Sequence, residues 1–156
     1  MAFFIGEFKY SLDDKGRVNI PAKFRKAASD ETDGKFVITF DEEDNCLYVY
    51  PNDVYEKKIV DFIDKLSEAK KDHRAYMSMV GQNSTEASLD KQGRISIPLN
   101  FLEKANITKD VIIIGAFNKI EVWDPQVREE FKEEMGGTEA KAKLEEKIAA
   151  DFKSDK

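Results

Sequence analysis

At 156 residues, with 41% hydrophobic and 36% charged residues, the chain has the composition of a soluble globular protein of one domain or two very small ones. A single cysteine, Cys46, excludes an intrachain disulfide, a single histidine, His73, excludes a zinc cluster, and no apolar stretch is long enough to span a bilayer. The net charge of −6 is unevenly placed: Asp30, Glu31, Asp33, Asp41, Glu42, Glu43 and Asp44 face only Lys35 within residues 30–51. Residues 1–29 are net positive, with Lys9, Lys15, Arg17, Lys23, Arg25 and Lys26 against Glu7, Asp13 and Asp14, so a basic face is compatible with an acidic chain.

In chain order, residues 8–12 alternate as a strand, Asp13-Asp14-Lys15-Gly16 turns, and Arg17-Val18-Asn19-Ile20 alternates again, which predicts a β-hairpin with a glycine in its turn. Pro21 ends the strand and suits the start of a helix over 22–28. Two apolar strands follow at 36–40 and 47–51, joined by the acidic loop around Asp41-Glu42-Glu43-Asp44. That loop lacks the ordered spacing of a calcium loop and reads as a solvated hairpin. Val54, Tyr55, Ile59, Phe62, Ile63 and Leu66 recur at spacings of three and four, which predicts one amphipathic helix over 52–72.

The same order then begins again. Residues 11–24 and 88–101 share Ser, Leu, Asp, Gly, Arg, Ile, Pro and Phe at eight of 14 positions, with a constant offset of 77 (88 − 11). A helix over 99–105 and strands beginning at Val111 and Ile120 complete the second copy. The offset between Pro51 and Pro125 is 74, which predicts three extra residues between the last two strands of the first copy. Val127 and Phe131 open a further helix, Gly136-Gly137 interrupts it, and Leu144, Ile148 and Phe152 resume helical spacing in a charged, partly ordered tail. The expected organisation is a first repeat over 4–51, a linking amphipathic helix over 52–81, a second repeat over 82–125, and a C-terminal helix and charged tail over 126–156. A unit of roughly 45 residues closes a core poorly alone, so the two copies should pack as one pseudo-symmetric body.

What both copies keep is Asp-x-x-x-Arg with a glycine before the arginine: Asp13, Gly16, Arg17 and Asp90, Gly93, Arg94. One reading makes the carboxylate the acceptor for turn N–H groups or the ion partner of its arginine, fixing the turn. The other makes the arginine a charged fork for phosphate or guanine edges, and the two readings are compatible. Lys15 and Lys91 add charge beside the turns, and Lys23 and Arg25 follow Pro21, whereas the matching Asn100 and Leu102 carry none. The first copy is therefore the expected electrostatic contact. Cys46 reads as a packed residue and His73 as a solvated helix-end residue. Neither motif contains a nucleophile with its base, so catalysis is not expected, and no cofactor, metal or small-molecule substrate is implied.

The duplicated S-L-D-x-x-G-R-x-x-I-P, with P-A-K-F-R in the first copy and strand pairs ending in Y-P or W-D-P, resembles the MraZ family of the AbrB-like swapped-hairpin group, from about Phe4 to about Phe131. The resemblance implies a mainly β fold with peripheral helices, of the α+β class, in which two pseudo-symmetric swapped-hairpin units form one barrel-like body. It implies a sequence-specific DNA-binding transcriptional regulator, a repressor of the division and cell-wall gene cluster, that binds direct repeats in promoter DNA as a ring-shaped homo-oligomer. Asp13, Arg17, Asp90 and Arg94 take the family's motif positions. The expected location is cytoplasmic and nucleoid-associated, without membrane contact. A protein-interaction scaffold and a non-specific nucleoid protein are the competing readings, and DNA retardation at low salt separates the first of these from the leading one.

Overall fold

The computed structural model describes residues 3–154; the side chains of residues 29–32 lie outside that description, as do residues 155 and 156, so the acidic groups of Asp30 and Glu31 and the end of the expected tail are not placed. The first copy runs β1 (Phe4–Ser11), β2 (Arg17–Asn19), α1 (Ala22–Thr32), β3 (Lys35–Asp41) and β4 (Cys46–Pro51). A linker follows, with α2 (Asn52–Tyr55), a π-helical turn (Glu56–Val60), α3 (Asp61–Ile63) and α4 (Lys71–Gln82). The second copy runs β5 (Ser84–Ser88), β6 (Arg94–Ser96), α5 (Leu99–Lys104), β7 (Asp110–Phe117) and β8 (Ile120–Trp123), before α6 (Pro125–Glu134), a 3-10 turn (Gly137–Glu139) and α7 (Ala140–Ser154). Pro21 and Pro98 occupy the cap positions of α1 and α5, where a missing N–H costs no helical bond.

The expected hairpins form their turns but not their ladders. Beyond the Asp13 N–H to Arg17 carbonyl bond of 3.0 Å the arms separate: β1 pairs with β7, and β2 pairs with β6. In the second copy β5 pairs with β3 and β6 again with β2. Each copy thus completes its sheet with strands of the other, because three-residue arms such as Arg17-Val18-Asn19 bury their apolar side chain only when a matching arm lies beside them.

Two antiparallel layers result. The larger sheet has the order β1-β7-β8-β4-β3-β5, and β2 with β6 forms a separate ribbon. The sheet has two edges, β1 and β5, so the expected barrel-like body is not a closed barrel among the described residues. Residues at equivalent positions pair with each other at two places, Val18 with Ile95 in the ribbon and Tyr48 with Glu121 at the middle of the sheet. A residue opposite its own repeat mate marks a local two-fold axis, and here one axis passes through both layers.

Strand register also corrects the offset. Ser11 pairs with Asp110 and Ser88 with Lys35, so the offset is 75 (110 − 35) at the third strand of each copy. Val37 pairs with Tyr50 and Ile112 with Trp123, so it is 73 (123 − 50) at the fourth. Two of the extra residues therefore lie before β3 and two in the β3–β4 hairpin, rather than three in the hairpin alone. The two proline positions mislead because Pro125 follows the helix cap Asp124, whereas Pro51 is itself the cap.

Alternation along the strands builds the core. Phe36, Ile38, Leu47, Val49, Ile113, Ile120 and Val122 turn toward the ribbon and meet Val18, Ile20, Ile95 and Ile97, with Phe24 of α1 and Phe101 of α5 beneath them. Phe24 takes Phe4 and Phe8 edge-on, with ring centroids 5.3 and 5.2 Å apart. The opposite face carries a smaller cluster of Cys46, Ile112 and Trp123 under Phe131 of α6. The single helix expected over 52–72 is broken across residues 64–70, and α4 turns back so that Tyr76 packs against Phe62 at 5.8 Å. Across the break the Nδ1 of His73 accepts the Ser67 N–H at 2.9 Å. α7, expected to be partly ordered, is helical along Ala140–Ser154 with no buried residue.

Candidate nucleic-acid interface

Each motif aspartate organises its turn by hydrogen bonding. Asp13 Oδ1 accepts the N–H groups of Lys15 and Arg17, both at 2.9 Å, while Oδ2 accepts Arg17 Nε at 2.6 Å. Asp90 does the same with the N–H groups of Gln92 and Arg94 and with Arg94 Nε, all at 2.9 Å. The Arg17 N–H first, then the guanidinium and the Lys15 N–H, hold the Asp13 carboxyl down at about 2 despite the opposing effect of burial. The Asp90 carboxyl is lowered chiefly by the Arg94 N–H. Both turns keep a fixed negative charge that orients an arginine, and the Nε bond uses one of the five donors on each guanidinium. Gly16 and Gly93 have φ of 75° and 78°, the left-handed region that these tight turns require.

The two turns are locked across the repeat. The Gly16 carbonyl accepts the Ile97 N–H at 3.0 Å and the Gly93 carbonyl accepts the Ile20 N–H at 3.1 Å, which continues the ribbon by one bond at each end. Arg94 Nη1 also reaches Asp13 Oδ2 at 3.5 Å, linking one turn to the other. With Val18 and Ile95 directed into the core, the outward positions of the ribbon are Arg17, Asn19, Arg94 and Ser96, with Arg17 opposite Ser96 and Asn19 opposite Arg94. A two-stranded ribbon with arginine and amide side chains on one face has the width and donor pattern that the major groove of DNA accepts. Asn19 and Ser96 escaped the reading of the sequence, and the signal for them was their alternation with Val18 and Ile95.

The charge asymmetry drawn from the sequence is redistributed by the swap. Arg25 does not stand beside Arg17 of its own copy. Its Nη1 donates to the Ile20 carbonyl at 3.0 Å, and its side chain lies across Gly93, where Ala22, Arg25, Lys26, Lys91 and Gln92 line a shared cleft of about 460 Å³. Its repeat mate Leu102 lies against Gly16. The basic helix of the first copy therefore serves the turn of the second, and the two turns are closer in charge than the linear sequence indicates. Lys15, Lys23 and Lys91 are exposed, Arg17 and Arg94 half-buried.

Other candidates have structural positions. Cys46 is fully buried, and burial raises its thiol far above the ordinary range. His73 is half-exposed in the first turn of α4 and accepts the Ser67 N–H, so the helix end it occupies is the N-terminal one. Among the described residues no group of histidine, cysteine and carboxylate side chains is placed to hold a metal ion, and no described helix is long and apolar enough to cross a membrane.

A family model described as "MraZ protein, putative antitoxin-like" matches residues 3–78 and 81–151. The second span passes Gly137, so the tail that the resemblance had left out falls within the match. The curated protein "Transcriptional regulator MraZ" of Natranaerobius thermophilus is 42% identical over 131 residues, which cover 84% of this chain and 87% of the relative. The family is one of transcriptional regulators and not of enzymes. Two interlocked copies of an aspartate-anchored arginine turn, matched along both halves by one family, lead to a single assignment: the chain belongs to the MraZ family.

Proposed function

We propose that the chain is a sequence-specific DNA-binding transcriptional regulator that represses the division and cell-wall gene cluster and acts as a ring-shaped homo-oligomer on direct repeats. The supporting observation is the ribbon: Arg17 and Arg94, each oriented by its own aspartate, stand on one polar face around a local two-fold axis. The copies differ at Lys15 against Gln92 and Asn19 against Ser96, so one subunit reads its site in a defined direction. Rotation around a ring repeats that direction, which suits direct repeats rather than a palindrome. Several weak contacts held in one arc raise avidity by on the order of a hundredfold or more. Exposed Phe3 and Ile5 at the start of the β1 edge, with Phe117 at the end of the neighbouring β7, supply an apolar surface of the kind that contacts between copies bury. In this reading the protein is cytoplasmic and associates with the nucleoid.

The test combines the native mass of the assembly with binding to the DNA upstream of its own gene. A closed oligomer that binds two or more direct repeats much more tightly than one, and loses that gain when one repeat is inverted, supports the proposal. Equal binding to repeat and scrambled duplexes overturns sequence specificity and favours a general nucleoid protein. No retardation of DNA even at low salt favours the scaffold.

A further inference from the structure

Behind the DNA-facing ribbon, the other face of the large sheet differs between the two copies. Val37, Thr39, Tyr48 and Tyr50 point away from the core on β3 and β4, as their alternation with Phe36, Ile38, Leu47 and Val49 requires. In the second copy the corresponding surface is closed by Arg128. Its guanidinium carbon lies 4.9 Å from the ring of Trp123 and 5.2 Å from that of Phe131, and its Nη1 is 3.7 Å from Glu121 Oε1. Aromatic faces and a carboxylate together hold a guanidinium there.

The first copy keeps the aromatic wall and omits the arginine. By the strand register Trp123 corresponds to Tyr50, and the same offset carries Arg128 onto Tyr55. Tyr50 stands edge-on to Tyr48 at 6.3 Å and to Tyr55 at 6.1 Å. Between this wall, the β3–β4 hairpin and α4 lies a cavity of about 460 Å³ with Asp41, Glu42 and Glu43 in its lining. The two extra residues of this hairpin lie in the same acidic stretch. The carboxylates are partly positioned already: Asp41 Oδ2 accepts the Asp44 N–H at 2.7 Å, and Glu42 Oε1 accepts Asn83 Nδ2 at 2.9 Å. Lys104 Nζ donates to Asn83 Oδ1 at 3.0 Å, and Lys119 Nζ lies 4.8 Å from the centre of the Tyr48 ring.

We propose that this cavity binds a guanidinium-bearing ligand, its planar cation against the tyrosine rings and its donors on the carboxylates of the hairpin. Arg128 is the internal precedent: the same sheet face in the other copy holds a guanidinium with the same kinds of group. The site lies on the side of the sheet opposite the ribbon, it is independent of the DNA-binding role, and its test does not involve DNA.

The probe is agmatine, which carries a guanidinium and no carboxylate for the acidic hairpin to repel, titrated into the full chain and followed by amide chemical shifts and calorimetry. The expected result is saturable binding with shifts confined to residues 39–43, 48–55 and 76–83. The double variant Glu42→Gln/Glu43→Gln, which keeps the acceptor for Asn83, should bind about tenfold more weakly at unchanged melting temperature, as loss of two solvent-exposed charge contacts implies. The arginine peptide acetyl-Gly-Arg-Gly-amide distinguishes two sources of the same group. If it binds as well as agmatine, an arginine side chain of a protein fits the site; if it is excluded while agmatine binds, a free small molecule does. Non-saturating shifts, unchanged affinity in the double variant, or equal binding of putrescine, which has no guanidinium, would each overturn the proposal.

Discussion

Gly16 and Gly93 occupy the same place in the two copies and have nearly the same φ, 75° and 78°, yet a side chain at each would meet a different neighbour. An added Cβ at Gly16 lies 3.0 Å from the Ile97 carbonyl oxygen, which is backbone, and 3.3 Å from Leu102 Cδ1; at Gly93 it lies 2.6 Å from both Cδ and Cζ of Arg25, a flexible side chain. Alanine at either position takes on the left-handed backbone cost of about 1–2 kcal/mol. Gly16→Ala adds about 1 kcal/mol more by pressing on a strand end that cannot move freely. Gly93→Ala instead expels Arg25, with loss of its bond to Ile20, a further ~1 kcal/mol. The single variants should thus look alike, each lowering the melting temperature by roughly 4–12 °C in a chain of this size. The Arg25→Ala background separates them. There Gly93→Ala should cost only its backbone share, a coupling of about 1 kcal/mol, whereas Gly16→Ala and Arg25→Ala should add. Urea unfolding of the two double-mutant cycles measures both numbers. Additivity in the Gly93 cycle, or equal coupling in both, would refute the placement of Arg25 across the turn of the other copy.

Acid should weaken the turns in a defined window. Because the folded Asp13 carboxyl is held at about 2 against an ordinary 3.8, its contribution is present above pH 3.8 and lost as pH falls toward 2. Asp13→Asn should therefore be less stable than the parent at neutral pH, with the gap in melting temperature closing between about pH 4 and pH 2. On DNA, Lys15→Ala and Lys91→Ala should each reduce the slope of log affinity against log salt by about 0.9, if each neutralises one phosphate. Asn19→Ala should leave that slope alone and relax base preference at one position of the site, seen by competition with single-base variants of the duplex.

The repeat and its chemistry were legible because they depend on identity at fixed spacing: Asp13, Gly16 and Arg17 recur at 90, 93 and 94, and the turns they imply are present. Strand partners were not legible from the alternation itself, although the resemblance implied swapped hairpins. Alternation at Arg17-Val18-Asn19-Ile20 specifies which side chains face inward, but not whether the complementary arm comes from the same copy, and only the register of Val18 with Ile95 decides that. Arg25 shows the consequence for the site, since adjacency in sequence placed it with Arg17 while strand exchange moves it to Gly93. The break in the linker escaped detection for another reason: residues 64–70 contain no glycine or proline, and the bond from Ser67 to His73 exists only once α4 has turned back. Helical spacing likewise identified Leu144, Ile148 and Phe152 on α7, where they remain exposed.

Two arginines on one ribbon face are the centre of the DNA-binding proposal, and the variant Arg17→Ala/Arg94→Ala removes both while leaving the buried core untouched. Fluorescence anisotropy of a labelled duplex carrying the direct repeats, at fixed moderate salt and with the native mass of the assembly checked in parallel, gives the decisive number. Each oriented guanidinium that contacts a base edge contributes about 1–3 kcal/mol. Loss of both from every subunit should therefore weaken binding at least a hundredfold with the assembly intact. Undiminished affinity in an intact assembly would place the DNA contact elsewhere and leave the arginines as turn-forming residues alone.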